Sequence, residues 1–225
     1  MRWASTVEAT LRPLANPKRA DVMRAYMKSI APFLGIPAPE RRAVMRPLGR
    51  PTDDELVAEC RALMRLPERE FHYVATETLV SAAKEQPAVF LDEFEWFIRT
   101  KSWWDTVDHL ASGVGTLATA HPAVVSAMDE WIHDPDLWIA RVAILHQLGW
   151  RDRTDAARLF RLCLVRAHEK EFFLRKAIGW ALRDYAWTNP DAVRTFVDEH
   201  RSELSGLTIR EASKNLAHPG AGLRH

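Results

Sequence analysis

The chain has 225 residues, of which 47% are hydrophobic and 27% are charged, and its formal net charge is +1. This is the composition of a globular protein that is long enough to bury a sizeable core. Cys60 and Cys163 are far apart and isolated, which excludes a disulfide framework and a cysteine-based zinc pattern. No apolar run is long enough to span a membrane, and the N-terminus lacks the apolar core of a secretory signal, so we expect a cytoplasmic protein.

The charges are segregated along the chain. Residues 1–50 carry 10 basic and 3 acidic groups, residues 51–136 carry 6 and 17, residues 137–185 carry 10 and 5, and the rest carry 5 and 5. Two interpretations stay open. The basic segments could form a surface for nucleic acid, or solvated helix faces could simply differ in composition.

The first 50 residues differ from the rest because Pro32, Pro37 and Pro39 interrupt any long helix. No flexible linker follows them. We therefore expect residues 1–50 to form short helices that cap a longer array, within the same domain.

From residue 51 onward, apolar residues recur at the spacing of helices, as in the stretches 57–64 and 71–82. Thr52 with Glu55 predicts a capping box at a helix start. Neither a hairpin signal nor a sustained apolar/polar alternation occurs, so the chain is predicted to form ten to thirteen helices. Further helix starts are predicted at His121-Pro122, Asp134-Pro135 and Asn189-Pro190, and at a second capping box of Thr208 with Glu211.

Bulky residues open five similar segments at intervals of 33, 34, 35 and 34 residues: Phe71, Trp104, Trp138, Phe173 and Leu207. This period is typical of a helix–turn–helix repeat, and equivalent positions of stacked repeats share one face. Three positions after each opening residue lie Val74, Val107, Arg141, Lys176 and Arg210. The last three are predicted to form a basic ladder.

Residues 102–108 read Ser-Trp-Trp-Asp-Thr-Val-Asp and are the most unusual stretch. In a helix, Trp104 and Asp108 lie one turn apart on the same face. An indole face can hold a cation, and a nearby carboxylate can stabilise positive charge or position a water molecule. The alternative is that Trp104 is a core residue and Asp108 a structural carboxylate.

Two later residues lie about one repeat apart from this stretch. Arg141 follows Asp108 by 33 residues within a mostly apolar segment, and is either a phosphate clamp or the partner of an aspartate in the preceding repeat. Trp180 follows Gly179, and glycine lowers the stability of a helix relative to alanine. A glycine here therefore suggests that another group approaches the helix closely beside Trp180, although plain packing is the alternative. On a solenoid, these groups could converge on one concave wall.

Other chemistries lack support in the sequence. No glycine-rich phosphate loop and no Gly-x-Ser-x-Gly element occurs, and the nine histidines lack the spacing of metal ligands. We therefore expect neither a metal nor a cofactor. His218 and His225 indicate a disordered tail.

Several segments taken together resemble the DNA alkylation repair enzymes of the AlkD-like family, from about Asp21 to Leu216. The resemblance rests on residues 25–28 (Ala-Tyr-Met-Lys), 33–42 (Phe-Leu-Gly-Ile, then Pro-Glu-Arg-Arg), 68–71 (Glu-Arg-Glu-Phe), 102–108 and 176–190. It implies an all-α fold, namely a curved α–α superhelix of HEAT-like helical repeats with a concave face that binds DNA. That domain would span residues 1–217, with capping helices in 1–50 and a disordered tail at 218–225.

The resemblance also implies a function. Family members remove positively charged N3- and N7-alkylated purines from duplex DNA, and they act without a deep base pocket. The family's catalytic aspartate matches Asp108, its cleft tryptophans match Trp104 and Trp180, its cleft arginine matches Arg141, and Tyr26 matches an aromatic near the lesion. We further expect DNA contacts from Lys176, Arg210, Arg41, Arg42 and Trp103.

The sequence thus predicts a monofunctional DNA glycosylase that acts as a monomer on double-stranded DNA in the cytoplasm, at the bacterial nucleoid. Two departures from the family pattern, Trp187 and the acidic middle segment, could alter DNA affinity or lesion range. A non-catalytic helical-repeat module that binds DNA, or a scaffold that binds only proteins, remains the alternative.

Overall fold

The computed structural model describes residues 2–216, and these residues form helices and no strands. Short 3-10 turns include Arg46–Leu48 and Ala83–Glu85. The described α-helices, which number thirteen and so fall within the predicted range, are α1 (Trp3–Leu11), α2 (Pro17–Tyr26), α3 (Ala38–Met45), α4 (Asp53–Arg65), α5 (Arg69–Ala82), α6 (Leu91–Arg99), α7 (Trp104–Ala120), α8 (Pro122–Trp131), α9 (Leu137–Leu145), α10 (Ala156–Val165), α11 (Phe172–Tyr185), α12 (Pro190–Glu199) and α13 (Gly206–Ala212).

Two of the predicted proline starts are confirmed. Pro122 and Pro190 each occupy the first turn of a helix, and the side chain of Asn189 accepts a hydrogen bond from the N–H of Ala192. The start at Asp134-Pro135 is wrong by two residues. Asp136 caps α9 instead, because its carboxylate accepts the N–H of Trp138 at 2.8 Å.

The two predicted capping boxes have different outcomes. Thr52 does precede α4, but its hydroxyl donates to the carboxylate of Glu55 instead of capping a backbone N–H. The box at Thr208 is wrong, because α13 begins one residue after Ser205, whose hydroxyl accepts the N–H of Thr208 at 3.0 Å.

The helices form two compact units, Met1–Ala82 and Ala83–His225. In the first unit, α4 packs along α5 and α1 contacts both α3 and α4. Its core consists of fully buried apolar side chains, among them Leu11, Ile36, Leu63, Phe71 and Leu79.

A buried carboxylate organises the first unit. Glu70, in the first turn of α5, accepts hydrogen bonds from the successive backbone N–H groups of Leu34, Gly35 and Ile36 at 2.9, 2.8 and 3.1 Å. Gly35 has φ +85°, and a Cβ atom there would lie 2.3 Å from the backbone oxygen of Asn16. The loop therefore needs glycine at residue 35 and a hydrogen-bond acceptor at its centre, because buried N–H groups must be paired.

The second unit repeats one arrangement of paired helices. The inner helices α7, α9, α11 and α13 pack one on the next, and α6, α8, α10 and α12 pack against this row. Close approach within the row requires small residues. A Cβ atom at Gly115 of α7 would lie 2.1 Å from the backbone oxygen of His146.

Polar contacts in the second unit recur at the predicted period. Arg158 donates to the backbone oxygen of Val125, 33 residues earlier, and Arg166 donates to that of Ile132, 34 residues earlier. The hydroxyl of Thr208 reaches the backbone oxygen of Arg175 across 33 residues. These bonds confirm the repeat-like arrangement of helices, because the same positions of successive helix pairs meet.

Two cysteines lie inside the helical layers, Cys60 in α4 and Cys163 in α10, and both are buried free thiols. Burial raises the pKa of Cys60 to about 12 and also raises the pKa of Cys163. Within residues 2–216, no helix is long and apolar enough to cross a membrane.

The predicted all-α class and helical-repeat packing are thus confirmed. The single domain over 1–217, the HEAT-like character of the repeats and the concave DNA-binding face stay predictions. The predicted tail at 218–225 lies outside the described residues.

Replacing Glu70 tests the role of its carboxylate. We expect Glu70→Gln to lower the free energy of unfolding by about 2–4 kcal/mol, because a charge-assisted acceptor for three buried N–H groups is replaced by an amide. Urea unfolding followed by circular dichroism measures this difference.

Glu40→Gln is the matched control, since Glu40 forms a partly exposed ion pair with Arg19 in the same unit. Its effect should stay within about 1 kcal/mol. Equal effects of the two substitutions would contradict the assignment of Glu70 as the centre of the loop.

Candidate functional site

The tryptophan segment lies at the start of α7. Trp103 precedes the helix in an extended conformation, Trp104 is its first residue and Asp108 lies one turn later. The predicted placement of Trp104 and Asp108 on one helix is therefore correct, and both side chains remain partly accessible.

Asp108 forms a bidentate ion pair with Arg141 of the next inner helix. Nε of Arg141 donates to Oδ1 at 2.7 Å and Nη2 donates to Oδ2 at 2.9 Å. The Nη1 group donates to the backbone oxygen of Phe173. This is the ion pair with an aspartate of the preceding repeat that the sequence left open. The arginine side chain is 5% exposed and the aspartate 16%.

The environment of Asp108 shifts its proton affinity. Burial raises the pKa of Asp108 above the ordinary aspartate value, while the hydrogen bonds and charge of Arg141 oppose this rise. The carboxylate thus lies largely out of contact with bulk water and beside the fixed positive charge of Arg141. Each carboxylate oxygen still has a second lone pair with which it can accept a hydrogen bond.

A cavity of about 390 Å³ opens beside this ion pair. It contains all three predicted catalytic side chains and two of the predicted DNA-binding cations. Its lining residues are Trp104, Asp108, Arg141, Phe172, Phe173, Lys176, Trp180, Arg183, Glu211 and Lys214.

Three cations on one side of the cavity share a single carboxylate. Glu211 of α13 contacts Lys176 at 2.8 Å, Arg183 at 3.1 Å and Lys214 at 2.8 Å, and its side chain is only 9% exposed. Hydrogen bonds from Lys176 and then Lys214 lower the pKa of Glu211 to about 2. This side of the cavity therefore keeps a surplus of positive charge.

The close approach predicted beside Trp180 is present, and α13 supplies it. A Cβ atom at Gly179 would lie 2.5 Å from the Cβ atom of Glu211 and 3.0 Å from the backbone oxygen of Thr208. Glycine thus lets α13 bring Glu211 to the cavity wall. Phe172 at the start of α11 also faces this cavity and is 54% exposed.

Sequence reasoning missed Glu211, Arg183, Lys214, Phe172 and Phe173 as members of the site. A signal existed for Glu211, because it follows Lys176 by 35 residues just as Arg141 follows Asp108 by 33. Opposite charges one repeat apart on inner helices indicate an ion pair. Because Glu211 was instead assigned to a capping box with Thr208, its pairing with Lys176 was not predicted.

Two other predicted DNA contacts in the second unit lie outside the cavity lining. Trp103 packs among aromatic rings, with its ring centroid 5.8 Å from that of Trp138 and 5.1 Å from that of Phe173. Arg210 is exposed on α13. In the predicted basic ladder, Arg141 is buried in its ion pair with Asp108, Lys176 shares Glu211 with two other cations, and Arg210 is exposed.

The remaining predicted DNA contacts belong to the first unit. Tyr26 is 71% exposed at the end of α2. Arg41 is buried, and it pairs with Glu77 at 2.8 Å and lies over the ring of Tyr73 at 4.8 Å. Arg42 binds the same carboxylate oxygen, but its side chain is 65% exposed. Only Tyr26 and Arg42 of these three can meet a large ligand without rearrangement.

Metal binding finds no support in this part of the chain. Among residues 2–216, no group of three or more His, Cys, Asp or Glu side chains is placed to hold a metal ion.

Comparison with known proteins adds family information to this geometry. The sequence pattern of a family described as DNA alkylation repair enzyme matches residues 7–216. The chain belongs to the DNA alkylation repair enzyme family. Membership supports a role in DNA repair and DNA as the substrate.

Solved structures agree with this family assignment. A predicted DNA alkylation repair enzyme from Enterococcus faecalis is 33% identical with a TM-score of 0.85, and the match covers 91% of this chain and 97% of that one. The structure of smu.31 from Streptococcus mutans UA159 is 14% identical with a TM-score of 0.64, covers 94% and 98% of the two chains, and shares the fold. A comparison with curated proteins found no match.

The pKa of Glu211 generates a test of the cation cluster. Because its folded pKa lies below its ordinary value of 4.5, the carboxylate stabilises the fold above about pH 4.5, and this contribution is lost as the pH falls towards about 2. We expect Glu211→Gln to lower the unfolding free energy at neutral pH on the order of 1–3 kcal/mol, with the gap closing in acid.

Urea unfolding at several pH values measures this gap. Glu199→Gln, an exposed carboxylate on α12, is the control and should change stability little at any pH. A gap between wild type and Glu211→Gln that does not depend on pH would contradict the charge-based explanation.

Proposed function

We propose that this DNA alkylation repair family member is a monofunctional DNA glycosylase. It hydrolyses the N-glycosidic bond of positively charged N3- or N7-alkylated purines in duplex DNA. The observation that carries the proposal is the position of Asp108, a desolvated carboxylate that lines one cavity together with Trp104 and Trp180.

The chemistry requires little more than this arrangement. Alkylation at N3 or N7 makes the purine cationic, so the bond between C1′ and the base nitrogen can break with its electron pair passing to the base. The base leaves neutral, and positive charge gathers on the sugar, as in glycoside hydrolysis. Water then adds to C1′ and loses a proton. Because the leaving base already carries its charge, no general acid is needed.

Asp108 supplies negative charge where the sugar becomes positive, and it can accept a hydrogen bond from the attacking water. Trp104 and Trp180 present indole faces to the cationic nucleotide, each worth about 0.5–2 kcal/mol. The removal of Asp108 from bulk water strengthens its interaction with a developing cation, because nearby charges attract more strongly at low dielectric constant.

Arg141 acts on the reaction through Asp108. Its bidentate contact fixes the orientation of the carboxylate, and its contact with Phe173 fixes the guanidinium in turn. A phosphate contact by Arg141 stays a prediction, since three of its five N–H groups already donate within the protein. The surplus cations around Glu211 are better exposed, and we propose that they hold phosphates near the lesion.

Substitution of Asp108 tests the enzymatic proposal directly. We expect Asp108→Asn to reduce the single-turnover release of 7-methylguanine from methylated duplex DNA by about 100-fold or more, because the charge that stabilises the transition state is lost. Affinity for the same DNA should change much less. Chromatography of the released base and fluorescence anisotropy measure the two quantities.

Asp92→Asn is the control, since Asp92 is an exposed carboxylate on α6 outside the cavity. Full base release by Asp108→Asn would contradict the catalytic role of Asp108. Tight DNA binding by wild type without release of any alkylated base would instead support a non-catalytic DNA-binding module, and absence of DNA binding would support a protein scaffold.

The positioning role of Arg141 predicts a change in pH dependence. Without the guanidinium, burial and the negative charge of Asp105 act on Asp108 unopposed by Arg141, so the pKa of Asp108 should rise further. The fall of the excision rate on the acid side, which we call the acid limb, should then move to higher pH. We expect this shift in Arg141→Met and a smaller shift in Arg141→Lys, which keeps a positive charge. Single-turnover rates across a pH series measure the position of the limb.

A merely structural role of Arg141 predicts a different result. Arg141→Met would then lower the excision rate or the stability by the same factor at every pH. An unmoved acid limb in Arg141→Met would therefore contradict the positioning role.

A further inference from the structure

Three large aromatic rings meet where the inner helices of the second unit begin. Trp103 immediately precedes α7, Trp138 is the second residue of α9, and Phe173 is the second residue of α11. The ring centroids lie 5.8 Å apart for Trp103 and Trp138, 5.1 Å apart for Trp103 and Phe173, and 5.0 Å apart for Trp138 and Phe173. The three residues follow one another at intervals of 35 residues, so each repeat contributes one ring. We call these three side chains the ring cluster.

The rings of the cluster pack in the geometry that aromatic side chains prefer. The three pairs have interplanar angles of 57°, 68° and 44°, and their centroid separations all fall in the range typical of favourable aromatic contacts. Because each ring contacts the other two, a shift of one ring disturbs both of its contacts. The ring cluster therefore fixes the spacing between the first turns of α7, α9 and α11.

The same three helix starts hold Arg141 and Asp108. The backbone oxygen of Phe173 accepts a hydrogen bond from Nη1 of Arg141, whose Nε and Nη2 groups bind Asp108 at 2.7 and 2.9 Å. Trp138 precedes Arg141 by three residues on α9. The guanidinium is thus held by a carboxylate of α7 and a carbonyl of α11. Its geometry depends on the spacing of these helices, which the ring cluster fixes.

The cap of α11 is weak, so the start of this helix needs other support. Glu171 accepts the N–H of Phe173 at 3.5 Å, which is the outer limit of a hydrogen bond. On α9, by contrast, Asp136 accepts the N–H of Trp138 at 2.8 Å. Packing of the Phe173 ring against the two indoles therefore supplements the cap at the peptide that binds Arg141.

The two indoles of the ring cluster act by packing and not by touching a ligand in the cavity. Phe173 lines the cavity around Asp108, whereas Trp103 and Trp138 do not. The Nε1 atom of Trp103 is buried and has no hydrogen-bond partner within residues 2–216. An unpaired buried donor lowers stability, and a phenylalanine ring would avoid this loss. What Trp103 contributes here is therefore the size of its ring, which contacts side chains of two other helices at once.

We propose that the ring cluster positions the ion pair of Arg141 and Asp108, with Trp138 as a positioning residue that acts from outside the cavity. By fixing the starts of three inner helices, the cluster keeps the carbonyl of Phe173 and the carboxylate of Asp108 within reach of one guanidinium. The inference rests on the proposed function in one respect, namely that Asp108 is the catalytic carboxylate. It goes beyond that function by giving a role in the reaction to side chains that cannot touch the substrate.

Trp138→Leu tests this inference, because it removes one ring of the cluster and leaves every charge in place. The charged groups near Asp108 are Arg141 of α9 and Asp105 of its own helix, and Lys176 of α11 lines the same cavity. We expect the titration of Asp108 to move to higher pH in Trp138→Leu, because a misplaced guanidinium opposes the effect of burial less well. Carbon-13 NMR of labelled aspartate measures this titration without DNA, and Asp108→Asn identifies the signal.

The same substitution should slow base release. We expect single-turnover release of 7-methylguanine to fall about 10-fold in Trp138→Leu, because small displacements of a catalytic group are costly in rate. Trp138→Phe keeps a smaller ring, so both of its effects should have the same direction and a smaller size. This second variant also serves if Trp138→Leu does not fold.

Trp131→Leu and Trp131→Phe are the matched controls. Trp131 is a buried tryptophan on α8 of the same unit, and it belongs neither to the ring cluster nor to the cavity lining. These variants should lower the melting temperature, measured by circular dichroism, but leave the titration of Asp108 as in wild type. A titration that does not move in either variant of Trp138, or that moves equally in the variants of Trp131, would overturn the inference.

The NMR titration separates this inference from the proposed function, because it requires neither DNA nor base release. If wild type releases no alkylated base while the titration of Asp108 still moves in Trp138→Leu, the glycosylase proposal fails and the positioning of the ion pair by the ring cluster stands. If wild type releases the base and the titration does not move in Trp138→Leu, the glycosylase proposal stands and the inference fails.

Discussion

The ion pair between Arg141 and Asp108 joins two inner helices of the second unit across one repeat, and this contact links the architecture of the unit to its chemistry. Arg141 lies in an almost wholly buried helix, where an unpaired guanidinium would be costly. Its partner is Asp108 on the preceding inner helix. The same pair joins two helices, fixes a carboxylate at a cavity wall and sets the electrostatic environment of that carboxylate. Stability and the candidate chemistry therefore depend on one contact.

The first unit solves a related problem with a backbone loop. Glu70 is buried, and it is paired with three peptide N–H groups instead of a cation. This contact explains why two short sequence segments, at 33–36 and 68–71, belong together, since one provides the loop and the other its anion. In each unit, a largely enclosed carboxylate lies about one repeat from its partner and joins two separate segments of the chain.

The sequence was informative wherever local chemistry decides the structure. Asn189-Pro190 starts a helix because the cap and the proline act within one turn, and the 34-residue period follows from stacking of like units.

The sequence was less informative where tertiary contacts choose between local options that are equally favourable. Asp134 and Asp136 could each cap the start of α9, and the structure uses Asp136. Ser205 and Thr208 could each cap the start of α13, and the structure uses Ser205. From the sequence alone, Arg141 could bind either a phosphate or an aspartate, and only the packing of the helices places it against Asp108. Trp103 and Trp104 are neighbours, yet only Trp104 lines the cavity.

The burial of Cys60 and Cys163 has a consequence for a protein that works while DNA is under chemical attack. Methylating agents are electrophiles, and thiolates are among the best nucleophiles that a protein can offer them. Inside their helical layers both groups stay protonated and out of reach of small reagents. Across residues 2–216, which contain both cysteines of the chain, the repair protein thus presents no sulfur anion that would consume the agent and poison the protein.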